Sequence, residues 1–473
     1  MNGKRYISID ASEFVKGAST SNYLNDGGIR PGAGSFNLTY EPGILHGVPA
    51  TVDKSGSLTG NPIGWTPNGF VSGGIGANGF IICSDGKVGA INSSQTIANL
   101  TSAITGTYTF GITDIAQFLT FVAISSTDNI AYINTDLTGS DNDWGTAVLG
   151  LSITSGAPHP LLNYKGYLYM GDARNVHRIS SSAAASTYTP FSQENTISAM
   201  GIDSSSGRIL IASVQNQDLG GAVSANGFIS VWDGESPVPE REVRVEGMIT
   251  AIRNVGGTTF MWMKDKIGYW NGSGFSFLRK LGHITLGTSS TLPWKHHTAV
   301  LDNTVYTSDG TRILAYGDVL PGRKVFYYAG NNDVNSNEFT MIAPVGNQKL
   351  GLGFSSSKFY TLDMVGTGVG TFNTFSTNVL NFPVPVHIRH VFLEYAGSGV
   401  ANGYQDATMY YLSGNDPTAA VAMSSIYNTS GGTLWEIKNV IGVASPIYSV
   451  RFVYGASDSP GIKRMVIYYD PIE

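Results

Sequence analysis

The sequence predicts an all-β protein: a seven-bladed β-propeller with an N-terminal arm and a C-terminal β-sandwich. Three observations predict it. The stretch KGYLYMGDARNVHRI (165–179), an apolar run, a turn with an aspartate and a second strand, is matched six more times along the chain. The matches start roughly 40–50 residues apart, the length of a propeller blade of about four short strands. No stretch of ten residues carries a convincing 3.6-residue period, whereas turn-forming Gly, Ser, Thr and Asn separate every apolar run.

Residues 1–62 come first, with turn signals and few strong strands. Ile7 and Ile9 alternate with polar neighbours, and SFNLTYEPGILHG (35–47) reads as a strand followed by a Pro-Gly turn. This segment is expected to be an arm that packs on the body of the chain, partly closing the propeller, or on a neighbouring subunit.

The propeller is expected over 63–380. Its paired strands are 79–91, 118–133, 165–179, 207–214 with 227–232, 258–270, 303–316 and 349–362. The second strand of each offers an apolar pair three apart: Val88/Ile91, Ile130/Ile133, Val176/Ile179, Phe228/Val231, Ile267/Trp270, Ile313/Tyr316 and Phe359/Leu362. In a strand that spacing points the two side chains to opposite faces, so both faces must be covered, as between stacked blades. One or two β-sandwiches would also give short strands, but would show one polar face and no even spacing. The Trp-Asp signature of common signalling propellers occurs once only, at Trp232-Asp233.

Unit four carries a polar, Gly-rich insertion, QNQDLGGAVSAN (215–226), and then the densest charge of the chain, PEREVRVEGM (239–248). Val243 and Val245 alternate with Glu242, Arg244 and Glu246, the pattern of a solvated outer strand with cross-strand ion pairs, or of a subunit interface. The last domain is expected over 381–473. Two prolines in NFPVPVHIRHVFLEYAG (381–397) mark a linker before a long strand. Later, Tyr448, Val450, Phe452 and Tyr454 are expected on one face and Ser449 and Arg451 on the other.

Composition narrows function. Charged residues are 13% of the chain against about 25% in ordinary soluble domains, and the net charge is −6, so no basic nucleic-acid footprint exists. Cys83, flanked by Ile81 and Ile82, is the single cysteine; it reads as an inert buried thiol and rules out an intrachain disulfide. The first residues hold no apolar signal region, and no apolar run reaches the ~18 residues of a membrane span. Manufacture in the cytoplasm and use by assembly are expected.

Chemistry is sparse. Asp85, Asp128, Asp172, Asp265 and Asp309 stand at the turn of five units, where a carboxylate caps backbone N–H groups, so turn chemistry is expected of all five. Thr307-Ser308-Asp309-Gly310-Thr311 has part of a sialidase turn but lacks its tryptophan. His296 and His297, if on a strand, point to opposite faces; His387 and His390, three apart, also diverge. Gly73-Gly74-Ile75-Gly76 is a turn, and Trp262, Tyr269 and Trp270 occupy repeat positions that the core requires. No catalytic, metal-binding or cofactor-binding residue is assigned, and no cofactor is expected.

An arm, a propeller of plain hairpins and a closing β-sandwich is also the build of certain tailed-bacteriophage virion proteins. Asn37–Gly43 (NLTYEPG) resembles the opening of phage tail nozzle and hub propellers, and Ser459-Pro460 with Ile462-Lys463-Arg464-Met465-Val466-Ile467 is similar to their closing strand. The resemblance implies a non-enzymatic structural protein of the tail or neck, assembled in the host cytoplasm into the virion. It implies a homo-oligomeric ring that binds other tail proteins, with no sequence-specific nucleic acid and no stable membrane insertion. Two alternatives stay open: a propeller that binds host surface glycan or receptor through surface aromatics, and a glycan-cleaving enzyme with an axial cleft of converging Asp, Glu and Arg.

Overall fold

Each hairpin read from the sequence is the middle pair of an antiparallel sheet of four strands, and there are seven such sheets. The computed structural model describes residues 5–9, 29–31, 37–38, 46–47, 51–68, 75–101, 111–137, 142–145, 149–189, 191, 194–215, 226–263, 266–280, 294–308, 312–320, 323–331, 339–346, 349–363, 373–377, 380–396, 408–413, 420–427, 435–440, 446–456 and 461–472. The insertion at 216–225, Asp265, Asp309 and most of NLTYEPG lie outside the described residues, as do Ser459 and Pro460.

The first strands of the sheets are Pro62–Thr66, Ile112–Phe118, Leu161–Tyr164, Asn195–Ile202, Ile249–Val255, Thr298–Leu301 and Phe339–Pro344. Each touches the first strand of the next sheet, and the seventh touches the first, so the ring closes. The seventh sheet takes its fourth strand from the beginning of the chain: Thr51–Asp53 follows Lys358–Asp363 in the strand order, and the Lys54 N–H donates to the Phe359 carbonyl. All-β, seven-bladed architecture is thus the fold of this chain.

The apolar pairs explain the stacking. Phe80, Ile82 and Val88 of the first sheet pack with Ile115, Val122 and Ile124 of the second. Their alternate neighbours Ile81, Cys83 and Ile91 pack with Met341, Ala343 and Phe359 of the seventh. Val88 and Ile91, three apart, therefore serve two different cores, as a period of two requires. Tyr169 and Val176 of the third sheet meet Ile197, Ile211 and Trp232 of the fourth in the same way. Of the predicted pairs only Phe228 and Tyr316 are half-buried rather than buried. Cys83 is fully buried, and burial pushes its thiol pKa far up.

Arg241–Glu246 is the outermost strand of the fourth sheet, with Val245 buried and Arg241, Glu242, Arg244 and Glu246 exposed. That exposed outer position is common to both readings of its charge pattern, and Arg241 and Arg244 donate to the Gly272 carbonyl and the Asn226 side chain rather than to cross-strand carboxylates. The repeated polar position that the sequence reading missed follows the third strand. There Asn92, Ser180, Asp233 and Asn271 each accept a backbone N–H from the turn beyond, at 2.7 to 3.2 Å.

Residues 52–310 and 337–361 form one compact unit; residues 1–51, 311–336 and 362–473 form another. The second is built on a sheet of nine strands running Arg5–Ile9, Gly461–Pro471, Leu380–Ala396, Trp435–Val440, Ala420–Tyr427, Thr408–Ser413, Ile447–Ala456, Asn373–Thr377 and Ile29–Pro31. The long strand Leu380–Ala396 also pairs with Ile447–Ala456, so the sheet curls back on itself around Val386, Val391, Leu393, Tyr411, Val450, Phe452, Met465 and Ile467. The start of the chain belongs here: Ile9 joins this core, and Arg5–Ile9 pairs with Met465–Tyr469.

Two local expectations are corrected. Pro383 and Pro385 lie inside the strand Leu380–Ala396, not in a linker, in the irregular stretch between Asn381 and Val386 where a missing N–H disturbs no regular ladder. Opposite that irregularity the alternation of Ile447–Ala456 breaks. Ile447 is buried and Tyr448 is 64% exposed, so Tyr448 does not share the buried face of Val450 and Phe452.

Candidate functional site

Among the described residues, polar side chains gather in three places that bear on function, and the first is the centre of the ring. Residues Trp294–His297 form a single 3-10 turn, not the strand that the sequence reading assumed for His296 and His297. The turn touches first strands of the first, fifth, sixth and seventh sheets, and its side chains reach the second and third. It fills the propeller axis.

Asp114, on the innermost strand of the second sheet, is the hub. One carboxylate oxygen accepts from His296 Nε2 at 2.9 Å and the Ile115 N–H at 2.8 Å; the other accepts from Lys295 Nζ and the Leu161 N–H, both at 2.8 Å. Burial opposes the Asp114 charge, but the Lys295 cation and the His296 hydrogen bond outweigh it and hold the carboxyl far below the usual range. His296 Nδ1 accepts the Trp65 N–H at 3.2 Å, which leaves the proton on Nε2 and the ring neutral. Burial agrees, pushing the pKa of His296 and of His297 down to about 4. Arg253 donates to the Lys295 carbonyl at 2.8 Å and the Thr298 hydroxyl at 3.2 Å, and burial lowers its pKa to about 10. Every one of these charged groups is engaged by its neighbours, so the axis is a lock between blades.

A second buried group corrects the reading of Asp172. Asp85 and Asp128 sit in turns, as expected, with Asp85 accepting from Thr59 and Asp128 from Ser155. Asp172 is instead the last residue of a strand and completely buried. It accepts from His159 Nε2 and His177 Nε2, each at 3.1 Å, and from the Thr154 N–H at 2.9 Å. Burial works against its charge, and the two histidine hydrogen bonds reverse that and keep it well below the usual carboxylate range. His159 Nδ1 faces the Ser126 carbonyl, so this histidine has acceptors at both nitrogens and ties the second sheet to the third. The signal was present in the sequence as His159 and His177, but only pairing geometry connects them to Asp172. Trp262 and Trp270 are buried in the core, as their repeat positions require, and Tyr269 is half-buried.

The third place is the outer face of the terminal unit, and it is open. A β-bulge makes it. Ile388 pairs with Tyr469 and His390 with Tyr468, which leaves Arg389 as an extra residue. The bulge also overturns the expectation that His387 and His390 diverge. His387 lies opposite Asp470 and His390 opposite Tyr468, and those partners are two apart, so both histidines share one face. The His390 ring stacks on Tyr468 at 4.5 Å and 25°, and Tyr6 on the neighbouring strand lies 6.0 Å from Tyr468. Arg389 Nε donates to the Asp470 carboxylate. Arg389, His390, Tyr468, Tyr469 and Asp470 line a cavity of about 340 Å³. Among the described residues no group of three His, Cys, Asp or Glu side chains has the spacing of a metal site, and no helix is long and apolar enough to cross a membrane.

No protein-family model and no curated relative matches the sequence. Solved structures do resemble the fold. Virginiamycin B lyase from Staphylococcus aureus is 10% identical over 67% of this chain and 99% of its own, with a TM-score of 0.47. The WD40 propeller domain of Doa1 is 10% identical over 67% of this chain and 95% of its own, with a TM-score of 0.44. The protein YCF48, solved with a D1 peptide, is 11% identical over 70% and 98%, with a TM-score of 0.45. With identities of 10–11% and TM-scores of 0.44 to 0.47, these likenesses carry nothing about what this chain does.

Proposed function

We propose that the chain is a non-enzymatic structural protein of a tailed-bacteriophage virion, a tail or neck component that assembles as a symmetric ring and binds neighbouring virion proteins. The observation that most supports a scaffold is the axis. The place where a propeller enzyme would converge its acid, base and cation holds Asp114, His296, Lys295 and Arg253 bound to one another and to backbone groups. A network of this kind holds blades in place and leaves no acid–base pair aimed at a substrate. The low charge of the chain, 13% of residues, and the organisation that resembles tail nozzle and hub propellers point the same way.

Negative-stain images and native mass measurement of the purified full chain test the reading. Closed rings of fixed copy number, or the protein within purified virions, are the expected result. A stable monomer outside any particle, at every concentration tried, overturns it.

A further inference from the structure

We propose that the outer face of the terminal unit carries a saccharide-binding groove lined by Arg389, His390, Tyr468, Tyr469 and Asp470, with Tyr6 beside it. This site does not rest on the virion reading, since it lies within one chain and reads out on a monomer as well as on a ring.

Three features of the groove select the ligand. Its volume, about 340 Å³, stands at the lower end of the ~300–1,000 Å³ typical of small-molecule sites, room for a single compact unit. One wall is aromatic: the stacked His390 and Tyr468 rings are half-buried there, and Tyr6, 63% exposed, extends the aromatic surface past the cavity, 6.0 Å from Tyr468. Such a wall suits the C–H face of a pyranose, which is apolar while its rim is hydroxylated. The other wall is a donor–acceptor pair. Arg389 is 62% and Asp470 39% exposed in their side chains, so both remain reachable while bonded to each other. Neighbouring hydroxyls of a sugar can each donate to the carboxylate and accept from the guanidinium, replacing water on both.

The charge balance narrows the choice of ligand. One cation and one carboxylate cancel, which favours neither a phosphate nor an ammonium group and suits a neutral polyol. The bulge adds a structural reason. Without it, Arg389 would take a regular place in the ladder; the extra residue sets it beside Asp470 at the groove, the re-aiming that bulges provide.

Saturation-transfer NMR of the full chain with methyl glycosides of glucose, galactose, mannose, rhamnose and N-acetylglucosamine tests the proposal. The expected result is millimolar binding of at least one glycoside, weakened tenfold or more by Tyr6→Ala and by Arg389→Ala. Both residues are exposed, so both variants fold; a thermal midpoint equal to that of the parent chain verifies it. Phe277→Ser, at an exposed residue of the fifth propeller sheet, serves as the control and leaves binding unchanged. Absence of binding by every glycoside overturns the proposal, and so does binding that both groove variants leave intact.

Discussion

The propeller axis and the outer face of the terminal unit assemble the same three kinds of side chain and treat them oppositely. At the axis these are Asp114, Lys295 and His296; on the outer face they are Asp470, Arg389 and His390. Asp114 and His296 are each 1% exposed in their side chains, and both carboxylate oxygens of Asp114 are held by two donors each, from its own strand, the third sheet and the axial turn. Arg389 and Asp470 stay 62% and 39% exposed in their side chains, in contact with water. The lesson is that a triad of residue types says little until burial is known. A buried carboxylate and imidazole, capped by a Lys295 that is only 22% exposed, fix a fold because they cannot be left unpaired, whereas an exposed ion pair can exchange partners with water.

That contrast predicts a ranking of stability effects. The largest belongs to Asp114→Ala. It leaves Lys295, the His296 Nε2–H and two backbone N–H groups without their acceptor in a water-poor core. Removing one partner of a buried pair costs about 3–5 kcal/mol, and denaturant unfolding of the full chain should report a loss of that size. A loss near zero would mean that water enters the axis and that the two regions do not differ.

Acid is the next test. His296 and His297 have folded pKa values near 4, below their unfolded values of about 6.5. The unfolded chain therefore binds more protons, and stability is complete above about pH 6.5 and falls as pH drops from there toward 4. Each imidazole can contribute on the order of 3 kcal/mol to that loss. Asp114 and Asp172, both depressed, extend the decline through the ordinary carboxylate range and below it. Unfolding midpoints between pH 7 and 4 should decline, and His297→Phe should flatten part of the slope.

How much of this was legible in the sequence follows from the range of the interactions. The blades were legible because Val88/Ile91 and its counterparts are a local pattern with a local cause, two faces covered by two neighbouring sheets. The axis was not. Asp114 meets Lys295 across 181 residues, and nothing near either one announces the other. Asp172 was misread for a subtler reason: it has the same place in its sequence repeat as Asp85, and the turn rule that explains Asp85 applies to it equally well until its strand pairing with Asn175 and the surrounding His159 and His177 are seen. The bulge at Arg389 left a trace in the sequence that was not used: the apolar phase runs Val386, Ile388 and then Val391, Leu393, a slip of one residue at Arg389.

The misread aspartate gives a third test, inside the propeller alone. Asp172→Asn keeps the shape of the side chain but removes the charge that two buried histidines address, and hydrogen bonds to a charged group contribute about 1.5–3 kcal/mol. A loss of about 2 kcal/mol is expected. Asp85→Asn, in an exposed turn, should stay within about 0.5 kcal/mol of the parent chain. Equal effects in the two variants would restore the view that both are turn residues.

The smallest effect belongs to the outer face, and its smallness is the point. Arg389→Ala removes an ion pair whose side chains are 62% and 39% exposed. Exposed pairs of this kind contribute about 0–1 kcal/mol, because water and salt compensate each charge and two long side chains lose freedom in forming the contact. The Asp470 carboxylate left behind is solvated rather than stranded. Unfolding of Arg389→Ala should thus fall within about 1 kcal/mol of the parent and converge with it further as salt is raised. A loss as large as that of Asp114→Ala would make Arg389 a structural residue that holds the long strand to the last one. It would then be the bulge, and not the aromatic wall, that the terminal unit cannot do without.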